Sequence, residues 1–213
     1  MPDLNFVLNG EPSSVGYEDG MNLLDVLRDE CGVTSPKDGC APQGACGCCA
    51  VMVDGRAVLS CLRKPESVAD KSVTTLEGIP EERRRLLAEA FVREGGLQCG
   101  YCTPGIVARV ASLLDRDPDV DEAGVRKALS GHLCRCTGYQ RIVDAVLTAG
   151  AGWADGELPS GEPRRTDLFG VARGLTRSTP DGGLGVGGGS ARYRGRDQTL
   201  GDKPYVADMT VDG

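Results

Sequence analysis

Residues 38–49, Asp-Gly-Cys-Ala-Pro-Gln-Gly-Ala-Cys-Gly-Cys-Cys, and residues 97–105, Leu-Gln-Cys-Gly-Tyr-Cys-Thr-Pro-Gly, decide how this chain reads. They hold six of its ten cysteines. Cys40, Cys46, Cys48, Cys49 and Cys61 form one group, Cys99, Cys102, Cys134 and Cys136 a second, and Cys31 stands apart. The opening Met1-Pro2-Asp3-Leu4-Asn5 has neither the basic nor the apolar part of a secretory signal. A cytoplasmic location is therefore expected, and there clustered cysteines bind metal more often than they form disulfides.

Cys40-x5-Cys46-x2-Cys49-x11-Cys61 lies within one residue of the C-x4-C-x2-C…C spacing that holds a 2Fe–2S cluster on four thiolates. Gly39, Gly44 and Gly47 would let the loop wrap the cluster and turn backbone N–H groups toward its sulfurs. Five thiols compete for four places. The two-residue gap favours Cys49 over Cys48, which becomes a spectator or an alternative ligand. Cys99-x2-Cys102 and Cys134-x-Cys136 each lie just before an expected helix N-terminus, where the dipole favours thiolate. Taken alone, this second set could also hold zinc.

The remaining sequence reads as α+β. Leu4, Phe6 and Leu8 alternate along a strand, and Asn9-Gly10 and Asp54-Gly55 are hairpin turns. Met21–Glu30 reads as a helix stopped by Gly32, and a small β-roll ends near Thr75. Four helices follow, opening at Pro80, at Thr103-Pro104 with Thr103 as cap, at Asp121 and at Tyr139. Past about Ala149, Gly182-Gly183 and Gly187-Gly188-Gly189 forbid regular structure, and Tyr205–Met209 looks like a strand with no partner. The expected units are 1–76, 77–155 and a tail at 156–213.

Net charge is −7 with Lys and Arg scattered, which disfavours a nucleic-acid groove, and no run approaches the roughly 20 apolar residues of a membrane span. No Walker loop, Rossmann fingerprint or nucleophile beside a base is present. Cys31 reads as a buried thiol, Arg83-Arg84-Arg85 as a solvated face paired with Glu81, Glu82 and Glu89, and His132 as a helix-end hydrogen-bonding residue. Arg135 either faces solvent or raises the potential of a cluster beside it.

With their flanks, Asp38-Gly39-Cys40, Cys46-Gly47-Cys48-Cys49, Leu97–Gly105 and Leu133-Cys134-Arg135-Cys136-Thr137-Gly138-Tyr139 resemble the iron–sulfur subunit of the xanthine oxidase family of molybdenum hydroxylases. The resemblance covers residues 1 to about 150. It implies a β-grasp, plant-type ferredoxin-like domain followed by a four-helix domain, each with one 2Fe–2S cluster. Cys40, Cys46, Cys49 and Cys61 would hold the first, and Cys99, Cys102, Cys134 and Cys136 the second. Gln98 and Cys136 match positions that contact the pterin of the molybdenum cofactor, which a partner subunit or domain would carry. Here the first loop is one residue longer than usual, Cys48 stands at a position commonly small, and His132 at one commonly asparagine. Gly189–Arg192 and Leu200–Met209 are similar to the opening of the family's molybdenum-binding subunit, which implies a fused polypeptide. The expected function is electron transfer from a molybdenum centre to a flavin subunit or other acceptor, with no complete active site in this chain. A stand-alone two-cluster carrier and a zinc-stabilised binding module are the alternatives.

Overall fold

The computed structural model describes residues 2–161, Arg164 and 194–209. The N-terminal half is a five-stranded mixed sheet. Strands β1 (Asp3–Leu8) and β2 (Glu11–Gly16) form one hairpin through Asn9-Gly10. Strands β3 (Ala50–Val53) and β4 (Arg56–Leu59) form another through Asp54-Gly55. The sequence pattern missed β5 (Ser72–Thr74), which joins them: it runs parallel to β1 and antiparallel to β3, giving the order β2-β1-β5-β3-β4. Three residues are too few to carry a strand periodicity, so only the two waiting edges define this strand.

The helix expected over 21–30 is capped by Asn22, whose side-chain oxygen accepts from the Leu24 and Asp25 N–H groups. It begins as α1 (Leu23–Asp25) and widens into a π turn over Val26–Glu30, with Cys31 N–H donating to Val26 O. Leu23, Val26 and Leu27 pack with Leu4, Phe6, Val51 and Val73 under the sheet, and Cys31 is half-buried at its margin.

Helices α2 (Glu81–Glu94), α3 (Thr103–Leu114), α4 (Glu122–Ala128) and α5 (Gln140–Ala151) form the second unit, with α2 packed on α5. Cys102, not Thr103, is the cap residue of α3. Arg83 departs from the expected solvated face. Its guanidinium lies 4.1 Å from the centroid of the buried Trp153 ring and 3.6 Å from Asp115. The two halves share a core: Cys46, Cys48 and Met52 pack with Ile106, Val107, Val110 and Cys134. Ser112 on α3 is fully buried, donates to Gly55 O at 2.8 Å and accepts from Ala57 N–H at 3.1 Å, fastening the helix to the β3–β4 turn.

The tail corrects two expectations. It is not wholly irregular, because α6 (Gly195–Leu200) packs on α2 and α3. Tyr205–Met209 is no strand: Val206–Asp208 forms a 3₁₀ turn, since Asp208 accepts from Tyr205 N–H at 2.9 Å instead of extending. Gly182-Gly183 and the run from Gly187 to Arg192 lie outside the described residues. Among the described residues no helix is long and apolar enough to cross a membrane.

Candidate metal centres

Two loops present the candidate thiols, and all the cysteines are unbridged. In the first, Asp38 Oδ1 accepts from the Ala41 and Cys40 N–H groups, turning the chain so that Cys40 faces inward. Gln43 N–H donates to Cys40 Sγ at 3.3 Å, and with the Ala45 and Cys46 backbone this holds the Cys40 thiol down to about 7. Cys46, Cys49 and Cys61 are buried. Burial pushes Cys46 up, and pushes Cys61 up to about 12 with help from Cys49. Gly39 is needed for space rather than for backbone freedom, because a Cβ there would lie 3.0 Å from both the Cys46 and Cys48 sulfurs. Gly47 combines φ +73° with a Cβ direction blocked at 2.7 Å by Gly131 O and at 2.6 Å by the His132 ring.

In the second loop set, Cys102 hydrogen-bonds to Cys134 and draws it down to about 5, with Thr137 Oγ1 (3.1 Å) and the Cys136 and Thr137 backbone assisting. Its partner Cys102 is raised by that same bond and by burial. The Cys99 and Cys136 sulfurs are 3.6 Å apart. That is close to the edge, about 3.8 Å, of a tetrahedron of thiolates around a metal at about 2.3 Å.

Side-chain hydrogen bonds pair Cys40 with Cys46 and Cys49 with Cys61, with Cys48 also bonded to Cys46, and in the second set they pair Cys99 with Cys136 and Cys102 with Cys134. Among the described residues no three His, Cys, Asp or Glu side chains surround a single ion-sized point. Four thiols arranged as two pairs, with N–H groups aimed at sulfur, fit a two-metal cluster better than one zinc ion.

Cys48 is buried beside Cys46, its thiol pushed well up by burial and by the neighbouring Cys46. Gln98 is exposed and donates to Cys136 O at 3.0 Å, so Gln98, Cys99 and Cys136 share one open rim. Arg135 is exposed. Neither His132 ring nitrogen makes a hydrogen bond of ordinary geometry: the ring packs against Gly47, and burial with the Arg109 charge pushes it down to about 4 against a smaller upward pull from the Gly105 backbone.

The two loops touch. Leu133 N–H donates to Cys46 O at 2.8 Å, so one hydrogen bond and one residue separate the backbones of Cys46 and Cys134. Gly105 on α3 lies against the Gly47 and Cys48 backbone, and Tyr101 Oη donates to Asp38 O at 2.9 Å. Sequence reasoning missed Tyr139. Its hydroxyl accepts from Cys134 N–H (2.8 Å) and donates to His132 O (3.0 Å), bracing the second loop.

Residues 6–77 match the 2Fe–2S iron–sulfur cluster binding domain family, and residues 75–147 match a second 2Fe–2S binding domain family. The nicotinate dehydrogenase small FeS subunit of Eubacterium barkeri is 42% identical over 68% of this chain and 93% of its own length. This chain belongs to the iron–sulfur subunits of the molybdenum hydroxylase family. It is also 38% identical to the xanthine dehydrogenase iron–sulfur-binding subunit of Escherichia coli O157:H7, over 66% of this chain and 89% of that one. The crystal structure of quinoline 2-oxidoreductase from Pseudomonas putida 86 matches with a TM-score of 0.68 at 37% identity, covering 74% of this chain and 98% of that chain. Aldehyde oxidoreductase from Desulfovibrio gigas matches 98% of this chain with a TM-score of 0.78 at 33% identity, but this chain spans only 22% of it. As an iron–sulfur subunit of this family, the chain is an electron-transfer component built to carry two 2Fe–2S clusters.

Proposed function

We propose that Cys40, Cys46, Cys49 and Cys61 hold one 2Fe–2S cluster in a unit spanning 1–76, and that Cys99, Cys102, Cys134 and Cys136 hold the other in a unit spanning 77–155. When bound, each cluster supplies one-electron redox chemistry. The backbone bridge from Cys46 O to Leu133 N–H supports a relay between the two, since it joins the loops without crossing solvent. The open rim of Gln98, Cys99 and Cys136 is the face for a molybdenum–pterin partner; the exposure of Gln98 and Cys136, and the bond that holds the Gln98 amide on Cys136 O, support that reading. Half-buried Cys40 and exposed Leu62 beside Cys61 form the face for a flavin subunit or other acceptor. The reading assigns the chain to the cytoplasm and gives it no complete active site of its own.

Two paired thiol sets joined by one backbone hydrogen bond carry this reading. Iron and acid-labile sulfide analysis after anaerobic reconstitution tests it. About four of each per chain, absorption between about 400 and 550 nm and two rhombic EPR signals on reduction are expected. A colourless protein with stoichiometric zinc refutes it.

A further inference from the structure

We propose that residues 198–208 are a latch that docks by Asp208 into a socket on the sheet unit and thereby holds the Cys99 loop of the second centre. The proposal rests on the reading that Cys99 serves a cluster.

The socket is built by residues 28–37. Lys37 is fully buried, and its ammonium donates to Thr34 O and to Asp208 Oδ2, each at 2.6 Å. Arg28 donates to Asp208 Oδ1 at 3.0 Å and to Ala207 O at 2.8 Å. Its other arm is held by Pro36 O at 2.8 Å and Thr34 O at 3.2 Å. The Asp208 side chain is 4% exposed, so two cations from one unit enclose a single carboxylate from the tail. A buried ammonium left with one carbonyl is costly, which makes the socket selective for a carboxylate.

Tyr205 transmits that docking. Its N–H donates to Asp208 Oδ2 (2.9 Å), and its hydroxyl donates to Cys99 O (2.6 Å). The Tyr205 ring meets Tyr101 edge-on at 5.1 Å, and the Lys37 ammonium lies 5.3 Å from its centroid. Gln198 adds a second donor to Cys99 O at 3.2 Å. The Cys99 carbonyl thus receives two tail donors, beside Gly100 in its left-handed conformation at φ +84°. Two donors on one carbonyl fix the peptide that follows Cys99 and with it the direction of the thiol. Tyr205 and Asp208 are positioning residues: neither reaches a candidate ligand sulfur.

The test uses the full chain, reconstituted anaerobically, as wild type, Tyr205→Phe and Asp208→Asn. Readouts are the two EPR signals of the reduced protein and the rate at which a ferrous chelator bleaches each centre. Both variants are expected to alter the second centre's signal and to release its iron about threefold to tenfold faster, the worth of one hydrogen bond, with the first centre unchanged. Asp208→Asn should do so although it touches neither Cys99 nor Cys136. If Asp208→Asn fails to fold, Tyr205→Phe, which keeps the ion pairs, decides alone. Wild-type signals and release rates in the variants, or changes confined to the first centre, overturn the latch. Wild-type protein with far fewer than about four irons overturns the underlying cluster reading instead.

Discussion

Replacing Gly105 by alanine tests whether the two halves meet as tightly as the site geometry requires. Gly105 lies in the first turn of α3, where alanine is worth about 1 kcal/mol more than glycine by helix propensity. Tertiary packing opposes that gain. A Cβ there would sit 2.5 Å from Gly47 O, 2.7 Å from Cys48 O and 2.8 Å from Cys48 C, well inside the 3.4 Å at which ordinary contact begins. All three atoms are backbone of the first cysteine loop, so no rotamer change relieves them. Overpacking of this kind costs about 1–3 kcal/mol or more, and backbone on both sides places it at the upper end. The expected net effect is about 2 kcal/mol of destabilisation, with α3 displaced from the loop. Anaerobic urea titration followed by visible absorption measures it, and the magnetic interaction between the two reduced centres should weaken as they separate. Gly131→Ala is the control, because nothing lies within 4 Å of a Cβ there. It should be neutral or slightly stabilising. A Gly105→Ala protein at least as stable as wild type, with unchanged magnetic interaction, refutes the reasoning.

Cys99→Ser is expected to remove one rhombic EPR signal and leave the other; loss of both would contradict two separate centres. Ser112→Ala leaves the Ala57 N–H without its acceptor and Gly55 O without its donor, and should cost about 1–3 kcal/mol in the same titration. His132, pushed down to about 4 by burial and by Arg109, stays neutral in the folded protein while the unfolded chain takes up its proton near pH 6.5. Its contribution is therefore full above about pH 6.5 and falls as the pH drops to about 4, a loss of about 3 kcal/mol that His132→Asn should abolish from the stability–pH curve.

The candidate centres were legible because ligand spacing is a local property. Cys46-x2-Cys49 and Cys99-x2-Cys102 place thiols on one short loop whatever the rest of the chain does, and the pairing across each set follows where the loops close. The Asn9-Gly10 and Asp54-Gly55 hairpins and helices α2 to α5 were readable for the same reason: their residues satisfy turn geometry or helical periodicity with near neighbours. The rest depended on contacts that no local pattern contains. Ser72–Thr74 becomes a strand only between β1 and β3, and the π turn after Asp25 forms as its apolar side packs under that sheet.

The tail and the polar residues divide in the same way. Tyr205–Met209 looks like a strand in sequence yet folds into a turn, because Asp208 is drawn to Lys37 and Arg28 and the oxygen that takes Lys37 also takes the Tyr205 N–H. His132 looked like a hydrogen-bonding residue, but close packing against Gly47 left its nitrogens without a hydrogen bond of ordinary geometry. From sequence alone came the two thiol sets, the order of the units and the chemistry they suit, since these depend on residue type and short spacing. Tertiary structure alone decided the Cys46–Leu133 bridge, the burial of Lys37 and the seating of the tail on the Cys99 loop. Each of those joins groups far apart in the chain, and the free energy that selects them comes from burying and pairing polar atoms only once both sides are in place.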